Sequence, residues 1–392
     1  MNVMEWDFRD SGAPLRDVTG HRLELRASGA RWVEDPQTGG ALHFDGVDDF
    51  LVIDAADVGP LNAAARGDQV SVIALVRRAS VDTGFIAGMW QEDDADPRRQ
   101  YGLFVSLPTY GGAQQAVGHV SADGGPSPAL PYSRDYAASA RMIAPDQWRV
   151  VGFSYDGSVI SAYLDGIADP RPRFREVGPP MGEAREYRKN PYDFPLGLNR
   201  RSISDFTVGA VQLSAGMGNH FGGDIARVRV VSEALDARGM LELAAEWTPE
   251  GSPLVRVDLF RPDGDIVAHE GGGDGEAWPV EVLGFVDDGS GAVVTRGRLE
   301  VPASRSPHRI TLVRLPGLAS DRIAFIEVDL ERGDASIVVR SHGGWESATP
   351  LSPGVQRIRI PLKRTVDVHE IALAIDATRH AVALRHLTIW GR

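Results

Sequence analysis

Two long stretches, residues 89–142 and 174–202, combine aromatic residues with arginine, asparagine and acidic side chains. A histidine or tyrosine can remove a proton from carbon, and an arginine or asparagine can neutralise a carboxylate beside that carbon. This combination fits β-elimination in a polymer that contains uronic acid. The candidate catalytic residues are His119, Tyr132, Arg134, Tyr136, Glu92 and Asp135.

Carboxylates in the same stretches leave a second reaction open. Hydrolysis of a glycosidic bond needs two carboxyl groups about 5–9 Å apart. The candidates for such a pair are Glu92, Asp94, Asp135, Glu183 and Asp193. A third interpretation needs no reaction, because the same surface could bind a glycan without cleaving it.

Aromatic and planar polar side chains accompany these residues. A sugar offers an apolar ring face and many hydroxyl groups, which suit aromatic platforms beside hydrogen-bonding side chains. In the predicted strand "QAVGHVSA", His119, Gln115 and Ser121 share one face, which we expect to be a solvated groove. By the same alternation, Arg99 shares a face with Tyr101. The predicted substrate-binding residues are Trp90, Arg99, Tyr101, Gln115, Tyr163, Tyr187, Asn190, Tyr192, Asn199 and His220.

The sequence predicts no catalytic metal centre and no required cofactor. It contains no cysteine, and its 10 histidines are scattered without an H-E-x-x-H motif. The glycine-rich segments lack the G-x-x-x-x-G-K-[ST] pattern of a phosphate loop, and no G-x-S-x-G motif occurs. Cysteine nucleophiles and α/β-hydrolase chemistry are therefore excluded.

The overall charge argues against nucleic acid as a partner. The 392 residues include 54 acids and 41 lysines or arginines, for a formal net charge of −13, and a phosphate backbone would be repelled on average. The N-terminus lacks the basic and apolar regions of a signal peptide, and no apolar run approaches the ~18 residues of a membrane span. We therefore expect a protein without membrane association that is cytoplasmic as given, with export as the alternative if a signal has been removed. The expected partner is the carbohydrate that the candidate site residues indicate.

Short strands dominate the chain on both sides of one predicted helix. Runs such as "QVSVIALV" and "YGLFVSL" are bounded by turn residues, which is typical of β-strands. In "LDARGMLELAAEW", the apolar residues Met240, Leu241, Ala244 and Trp247 recur at helical spacing. The segment "TPEGSP" then ends the helix and predicts two domains, residues 1–248 and 252–392. The second is expected to be a smaller β-sandwich with an accessory or carbohydrate-binding role.

The stretch "GALHFDGVDDFLVI" places three acids between two predicted strands. Asp45-Gly46 has the composition of a turn, and Asp48 and Asp49 can accept hydrogen bonds from the backbone there. Catalytic carboxylates would have to face one cleft, whereas neighbouring residues on a strand point apart. We therefore interpret these acids as turn-forming. Asp156-Gly157 and Asp165-Gly166 are predicted hairpin turns.

Four phrases in the first part of the chain carry a family resemblance. They are "GALHFDGVDDFLVI", "QVSVIALVRRAS", "QWRVVGFSYDGSVISAYLDG", and "DFTVGAV" with "FGGDIARVRVVSEALDARGM". Together they resemble the laminin-G-like, concanavalin A-like lectin/glucanase domains of bacteria. The resemblance implies an all-β jelly-roll sandwich that meets a glycan on its concave face. The E-x-D-x-x-E strand motif of jelly-roll glucanases is absent, whereas jelly-roll lyases use sets of histidine, tyrosine, arginine and asparagine.

The same resemblance raises the question of a structural calcium ion. Many such domains carry an aspartate after the isoleucine of an "F-x-G-x-I-D-E-V" strand. Here the strand reads "FGGDIARVRV", so Ala226 takes that position and Asp224 lies two residues earlier. Oxygen ligands could come instead from Asp7, Asp10, Asp17 or a backbone carbonyl near Gly46. The resemblance therefore allows a structural calcium ion, but the strand "FGGDIARVRV" lacks the aspartate that usually helps to bind it.

Overall fold

The computed structural model describes residues 2–108, 112–127, 135–168, 170–171, 174–176, 185–258, 278–279, 286–295, 298–360, 365–378 and 380–391. The chain forms two compact units. The first comprises Met1–Leu164, Ala168–Pro170 and Glu186–Asp236, and the second comprises Asp165–Ile167, Arg171–Arg185 and Ala237–Arg392. The domain limits proposed from the sequence, 1–248 and 252–392, stay a prediction.

Among the described residues, twenty strands precede the helix. They are β1 Val3–Asp7, β2 Arg26–Ser28, β3 Arg31–Val33, β4 Ala41–Asp45, β5 Phe50–Ile53, β6 Val70–Arg78, β7 Gly84–Met89, β8 Gln91–Glu92, β9 Tyr101–Leu107, β10 Gly112–Val120, β11 Tyr136–Ala138, β12 Trp148–Tyr155, β13 Val159–Leu164, β14 Phe174–Glu176, β15 Arg185–Tyr187, β16 Tyr192–Asp193, β17 Phe206–Val208, β18 Val211–Leu213, β19 Gly216–Gly218 and β20 Gly222–Val231. Two short 3₁₀ turns, Gly59–Leu61 and Ala63–Arg66, lie between β5 and β6.

The first unit is a sandwich of two sheets. Sheet I has the strand order β16-β13-β12-β6-β20-β4-β3, with β1 also paired to β20. Sheet II has the order β11-β10-β9-β7-β17-β5-β2. Alternate residues of each strand enter the core between the sheets, for example Val72 and Val76 from β6 and Leu103 and Val105 from β9. Burial of one face of each sheet therefore stabilises this unit.

The acids around Gly46 form the turn that the sequence predicts. Asp45 Oδ1 accepts the backbone N–H groups of Val47 at 2.8 Å, Asp48 at 3.2 Å and Asp49 at 3.4 Å. Asp49 Oδ2 accepts the Asp45 N–H at 2.9 Å, and Gly46 supplies a φ of +77°. The hydrogen bonds, led by that from Val47, lower the pKa of the Asp45 carboxyl. These side chains therefore satisfy the backbone between β4 and β5.

In the part of the second unit from Ala237 onward, the described residues form the helix and twelve strands. Helix α1 spans Ala237–Trp247 and buries Met240, Leu241, Ala244 and Trp247, as the helical spacing predicts. The strands are β21 Pro253–Asp258, β22 Trp278–Pro279, β23 Val286–Asp287, β24 Val293–Thr295, β25 Arg298–Val301, β26 His308–Ala319, β27 Ile323–Arg332, β28 Ala335–Ser341, β29 Glu346–Leu351, β30 Gly354–Ile358, β31 Asp367–Ile375 and β32 Val382–Gly391, with a 3₁₀ turn at Ser320–Arg322.

These later strands form two further sheets. One has the order β22-β24-β25-β32-β27-β30, with β21 paired to β32, and the other has the order β23-β26-β31-β28-β29. Both contribute to a second apolar core, which includes Ile326 and Leu387 from one sheet and Ile337 and Ile371 from the other. The all-β fold class predicted from the sequence is confirmed. Among the described residues, no helix has the length and apolar character needed to cross a membrane.

Candidate functional site

The outer face of sheet II, turned away from the inter-sheet core, carries an aromatic cluster. On β10, Ala116 and Val120 enter the inter-sheet core, so Val117 and His119 point outward. Phe85 and Phe104 meet edge to face with ring centroids 4.9 Å apart, a favourable geometry for their quadrupoles. The cluster comprises Phe85, Trp90, Phe104, Val117, Tyr136, Ala138 and Val211. The side chain of His119 therefore lies on this face in a largely apolar environment.

His119 lies among aromatic rings and is held by a carboxylate. Its ring centroid lies 4.4 Å from that of Trp90 and 5.6 Å from that of Tyr136. Its Nε2 lies 3.2 Å from Asp135 Oδ1, and the Ser127 hydroxyl donates to the other oxygen, Oδ2. The register places His119 directly opposite Tyr136 of β11, and Asp135, the residue before β11, lies beside the imidazole.

Burial determines the protonation state of this pair. Burial lowers the pKa of His119 below its ordinary value of 6.5, although Asp135 acts in the opposite direction. Burial tends to raise the pKa of Asp135, but hydrogen bonds from His119 and Ser127 outweigh it and lower that pKa. Near neutral pH the imidazole is therefore neutral and Asp135 is ionised. Nε2–H then donates to Asp135, which leaves the lone pair on Nδ1.

Stability should fall on acidification because of His119. The unfolded chain takes up a proton at the ordinary pKa of 6.5, whereas folded His119 resists protonation. Since the unfolded state then binds more protons, stability is fully present above pH 6.5 and is lost as the pH falls below it, by about 1 kcal/mol per pH unit until the folded pKa is reached. Urea unfolding at a series of pH values measures this slope.

His119→Gln is expected to flatten that slope. His21→Gln removes an exposed histidine of the same unit and should leave it unchanged. An unaltered slope in His119→Gln would show that another group is responsible.

Two cations lie against the aromatic rings of this face. The guanidinium carbon of Arg99 is 5.6 Å from the Trp90 ring centroid, and its Nη2 is 3.6 Å from Glu92 Oε2. Glu92 Oε1 also accepts the Trp90 indole N–H at 2.8 Å. On the other side, Lys189 Nζ lies 3.4 Å from the Tyr136 ring centroid, a short cation–π contact. Lys189 itself is fully buried.

The expectation of a solvated groove on this face is wrong. His119, Gln115 and Ser121 do share one face of the strand, but they are only 4%, 3% and 3% exposed. The reason is the apolar character of the same face, which requires a cover. Strand β18 supplies part of that cover, with Val211 inside the aromatic cluster and Leu213 packed against it.

The structure brings together eight of the residues selected from the sequence. They are Trp90, Glu92, Arg99, His119, Asp135, Tyr136, Tyr187 and Tyr192. Tyr187 and Tyr192 are connected to the other six by Lys189, which also contacts Tyr136. Its Nζ lies 5.6 Å from the Tyr187 ring centroid and 5.8 Å from that of Tyr192. Tyr132, Arg134 and Glu183 lie outside the described residues.

Two predicted binding tyrosines face elsewhere. Tyr101 points into the inter-sheet core, where its hydroxyl donates to the Leu61 carbonyl at 2.8 Å and burial raises its pKa. The predicted common face with Arg99 is wrong, because β9 begins at Tyr101 and the alternation does not extend back to Arg99. Tyr163 belongs to sheet I, where its hydroxyl lies 3.4 Å from Ser154 Oγ.

Two asparagines that were predicted to bind substrate are hydrogen-bonded to the backbone and do not lie on an open surface. Asn190 donates to the Ala162 carbonyl at 3.0 Å and accepts the Ala162 N–H at 2.9 Å, as a strand neighbour would. Asn199 donates to the Arg99 carbonyl at 3.1 Å. Both are fully buried, so they position the segments that carry Arg99 and Lys189.

The last two predicted binding residues lie beside other parts of the backbone. His220 Nδ1 lies 3.5 Å from the Asp49 carbonyl oxygen, next to the turn between β4 and β5. Gln115 is buried on the outer face of sheet II and donates to the Ala140 carbonyl at 3.4 Å.

Sequence reasoning missed Lys189 and Ser127. Lys189 occurs in "EYRKNPY", where Tyr187 and Tyr192 flank it closely. A lysine between aromatic residues could have indicated a cation–π site. No comparable signal marks Ser127, because its contact with Asp135 is a feature of the tertiary structure.

One group of acids has the spacing of a metal site. One carboxylate oxygen from each of Asp45, Asp48 and Asp49 lies within 4.8 Å of the others. Asp45 and Asp49 already accept backbone N–H groups. The other expected carboxylate ligands have partners too, since Asp17 accepts from Glu5 N, Asp7 accepts from Arg9 and Asp10 accepts from Gly12 N. Structural calcium stays a prediction.

Comparison with known proteins gives structural matches of low similarity. No protein-family model matches the sequence, and no curated protein matches it. Domain 4 of AbnA, a GH43 extracellular arabinanase from Geobacillus stearothermophilus solved with arabinotriose, is 17% identical over 62% of this chain and 97% of its own, with a TM-score of 0.39.

Two further solved structures concern sialidases. Trypanosoma rangeli sialidase in complex with sialic acid is 14% identical over 62% of this chain and 32% of its own, with a TM-score of 0.39. The CBM40 of Ruminococcus gnavus IT-sialidase, bound to alpha2,3 sialyllactose, is 10% identical over 55% of this chain and 97% of its own, with a TM-score of 0.36. The laminin-G-like assignment stays a prediction.

Proposed function

We propose that this chain is a carbohydrate-active protein whose glycan site surrounds His119 on the outer face of sheet II. The observation that carries the proposal is the imidazole of His119, which is oriented by Asp135 and packs at a tilt against Trp90 with ring centroids 4.4 Å apart. A base beside an aromatic platform suits a sugar, which has an apolar ring face and acidic C–H and O–H groups. Arg99 and Lys189, each lying over an aromatic ring, favour a glycan that carries carboxylates.

Cleavage by β-elimination is the reaction that these residues support best. His119 Nδ1 would take the proton from the carbon beside the uronate carboxylate. The electron pair left on that carbon forms a C=C bond as the glycosidic C–O bond breaks, and the leaving oxygen takes a proton. Arg99 would neutralise the carboxylate, and Tyr136 would supply the proton. Hydrolysis by Glu92 and Asp135 is less favoured, because these carboxylates are already hydrogen-bonded to Trp90 and His119.

Glycan binding without cleavage is a second candidate function. The burial of His119, which is 4% exposed, favours this candidate, because a general base must reach the proton that it removes. In that case Trp90 and the two cations would recognise the glycan, and His119 would only order the aromatic cluster.

Incubation of the full chain with a panel of uronate-containing and neutral polysaccharides tests the proposal. Elimination releases an unsaturated product that absorbs in the ultraviolet, hydrolysis releases reducing ends without that absorbance, and binding alone gives retention on the polymer without products. We expect elimination from a uronate polymer, with His119→Gln retaining binding and losing product formation.

His21→Gln, an exposed histidine change in the same unit, provides the matched control and should remain active. Full activity of His119→Gln would remove His119 as the base. Failure of the wild-type chain to bind or cleave any polymer in the panel would contradict the carbohydrate proposal as a whole.

A further inference from the structure

Arg78 is a buried cation at the end of sheet I, away from His119. It is the last residue of β6 and lies on the same strand face as Val72, Ala74 and Val76, which enter the inter-sheet core. The side chain is 1% exposed. Its Nε donates to the Ser80 carbonyl, which fixes the plane of the guanidinium group. The two Nη groups therefore extend from a fixed position at the end of the sandwich.

Neither Nη of Arg78 has a hydrogen-bond partner within the described residues. Burial lowers the pKa of Arg78 to about 10, and the charge of Asp82 acts in the opposite direction, so the group remains charged at neutral pH. A buried charge without a partner is strongly destabilising, and such a group normally meets a carboxylate, a phosphate or another acceptor. The charge of Arg78 therefore lacks a hydrogen-bonded acceptor among the described residues.

Gln147 lies beside Arg78 and also has a buried polar atom without a hydrogen-bond partner among the described residues. Trp148 pairs with Arg77, and the Asp146 N–H donates to the Arg78 carbonyl at 2.8 Å, which places Gln147 next to Arg78. The side-chain oxygen of Gln147 is also buried without a donor among the described residues. The rest of Gln147 is partly exposed, so this spot adjoins the surface. Donors and an acceptor thus face the same region.

We propose that Arg78 and Gln147 form a binding site for a small oxyanion, such as a carboxylate or phosphate group. The two Nη groups present parallel N–H donors that match the two oxygens of such an anion. Gln147 would contact a hydroxyl group or a protonated oxygen of the same ligand. The net charge of −13 repels anions from the protein as a whole, so saturable binding would report a specific site. This inference is independent of the proposed carbohydrate function.

Thermal unfolding of the full chain tests the site with inorganic phosphate, sulfate and acetate, each titrated against sodium chloride at equal ionic strength. We expect the wild-type Tm to rise saturably, by roughly 5 °C, in at least one of the three salts. Phosphate or sulfate as the effective salt would indicate a phosphate-type ligand, and acetate would indicate a carboxylate ligand.

Two variants distinguish the site from general salt effects. Arg78→Met replaces the guanidinium by an apolar chain of similar length, and should remove the saturable response while leaving the Tm in chloride equal to or above that of the wild type. Arg31→Met removes an exposed cation of sheet I and should keep the wild-type response. The proposal is overturned by an identical response in wild type and Arg78→Met, by no response in any salt, or by a lower Tm of Arg78→Met in chloride.

Discussion

Replacement of Gly118 by alanine should destabilise the first unit by at least about 3 kcal/mol, the upper part of the range for overpacked cores. Gly118 lies on β10 and faces Phe153 of the opposite sheet. A Cβ atom at Gly118 would lie 2.3 Å from Phe153 Cβ and 2.5 Å from its Cγ. These atoms belong to the base of a fully buried side chain, so rotation of the phenyl ring cannot relieve the contact. The sheets would have to move apart, with loss of packing throughout the core.

Denaturant unfolding of Gly118→Ala measures this effect, with Gly222→Ala as the matched control. Gly222 is also a strand glycine, but the nearest atom to its added Cβ would be 3.6 Å away, an ordinary van der Waals contact. We expect the control to remain near wild-type stability. Equal stability of Gly118→Ala and the control would mean that the two sheets are not packed as closely as described.

Replacement of Glu5 by glutamine should cost about 3–5 kcal/mol, since it removes one member of a buried ionic group. Glu5 is 3% exposed and lies between two arginines of β20. Arg227 Nε donates to Glu5 Oε1 at 3.1 Å, and Arg229 Nε donates to Oε2 at 2.6 Å. Glutamine keeps the shape but loses the charge, and its NH₂ group would face a guanidinium donor. The ion pairs that join β1 to β20 through Glu5 would be lost.

The free energy of unfolding of Glu5→Gln should be compared with that of Glu24→Gln. The latter removes the acid of an exposed pair, in which Arg16 Nε and Glu24 Oε2 are 3.8 Å apart, and it should change stability very little. If the two variants were equally stable, the carboxylate of Glu5 would not be the group that compensates the two arginines.

The candidate site was only partly predictable from residue types. His119, Asp135, Tyr136 and Trp90 were selected because histidine, carboxylates and aromatic rings suit sugar chemistry, and the fold places them within contact distance. Tyr101 was selected for the same reason, yet its hydroxyl bonds to Leu61 inside the inter-sheet core. Tyr101 differs from the other four because its side chain points to the inner face of sheet II. Which face a residue near a strand end occupies depends on where strand pairing begins, and β9 begins at Tyr101.

The burial of the outer face of sheet II could not be read from alternation. His119 and Gln115 share a polar pattern that favours a wet surface. The structure covers them because Phe85, Phe104 and Trp90 occupy the same face and β18 adds Val211 to the cluster. Whether a polar residue becomes exposed depends on its neighbours across strands, which are distant in the sequence.

The amino-acid sequence by itself determined the all-β class, the helix at Ala237–Trp247 and the turn around Gly46. Each of these depends on short-range properties, namely side-chain periodicity and the backbone preferences of glycine and aspartate. The tertiary structure alone decided that Asp135 orients His119, that Lys189 lies on Tyr136 and that Arg78 is buried with free Nη groups among the described residues. These features arise from strand register and from the packing of one sheet on another, which join residues far apart in the chain.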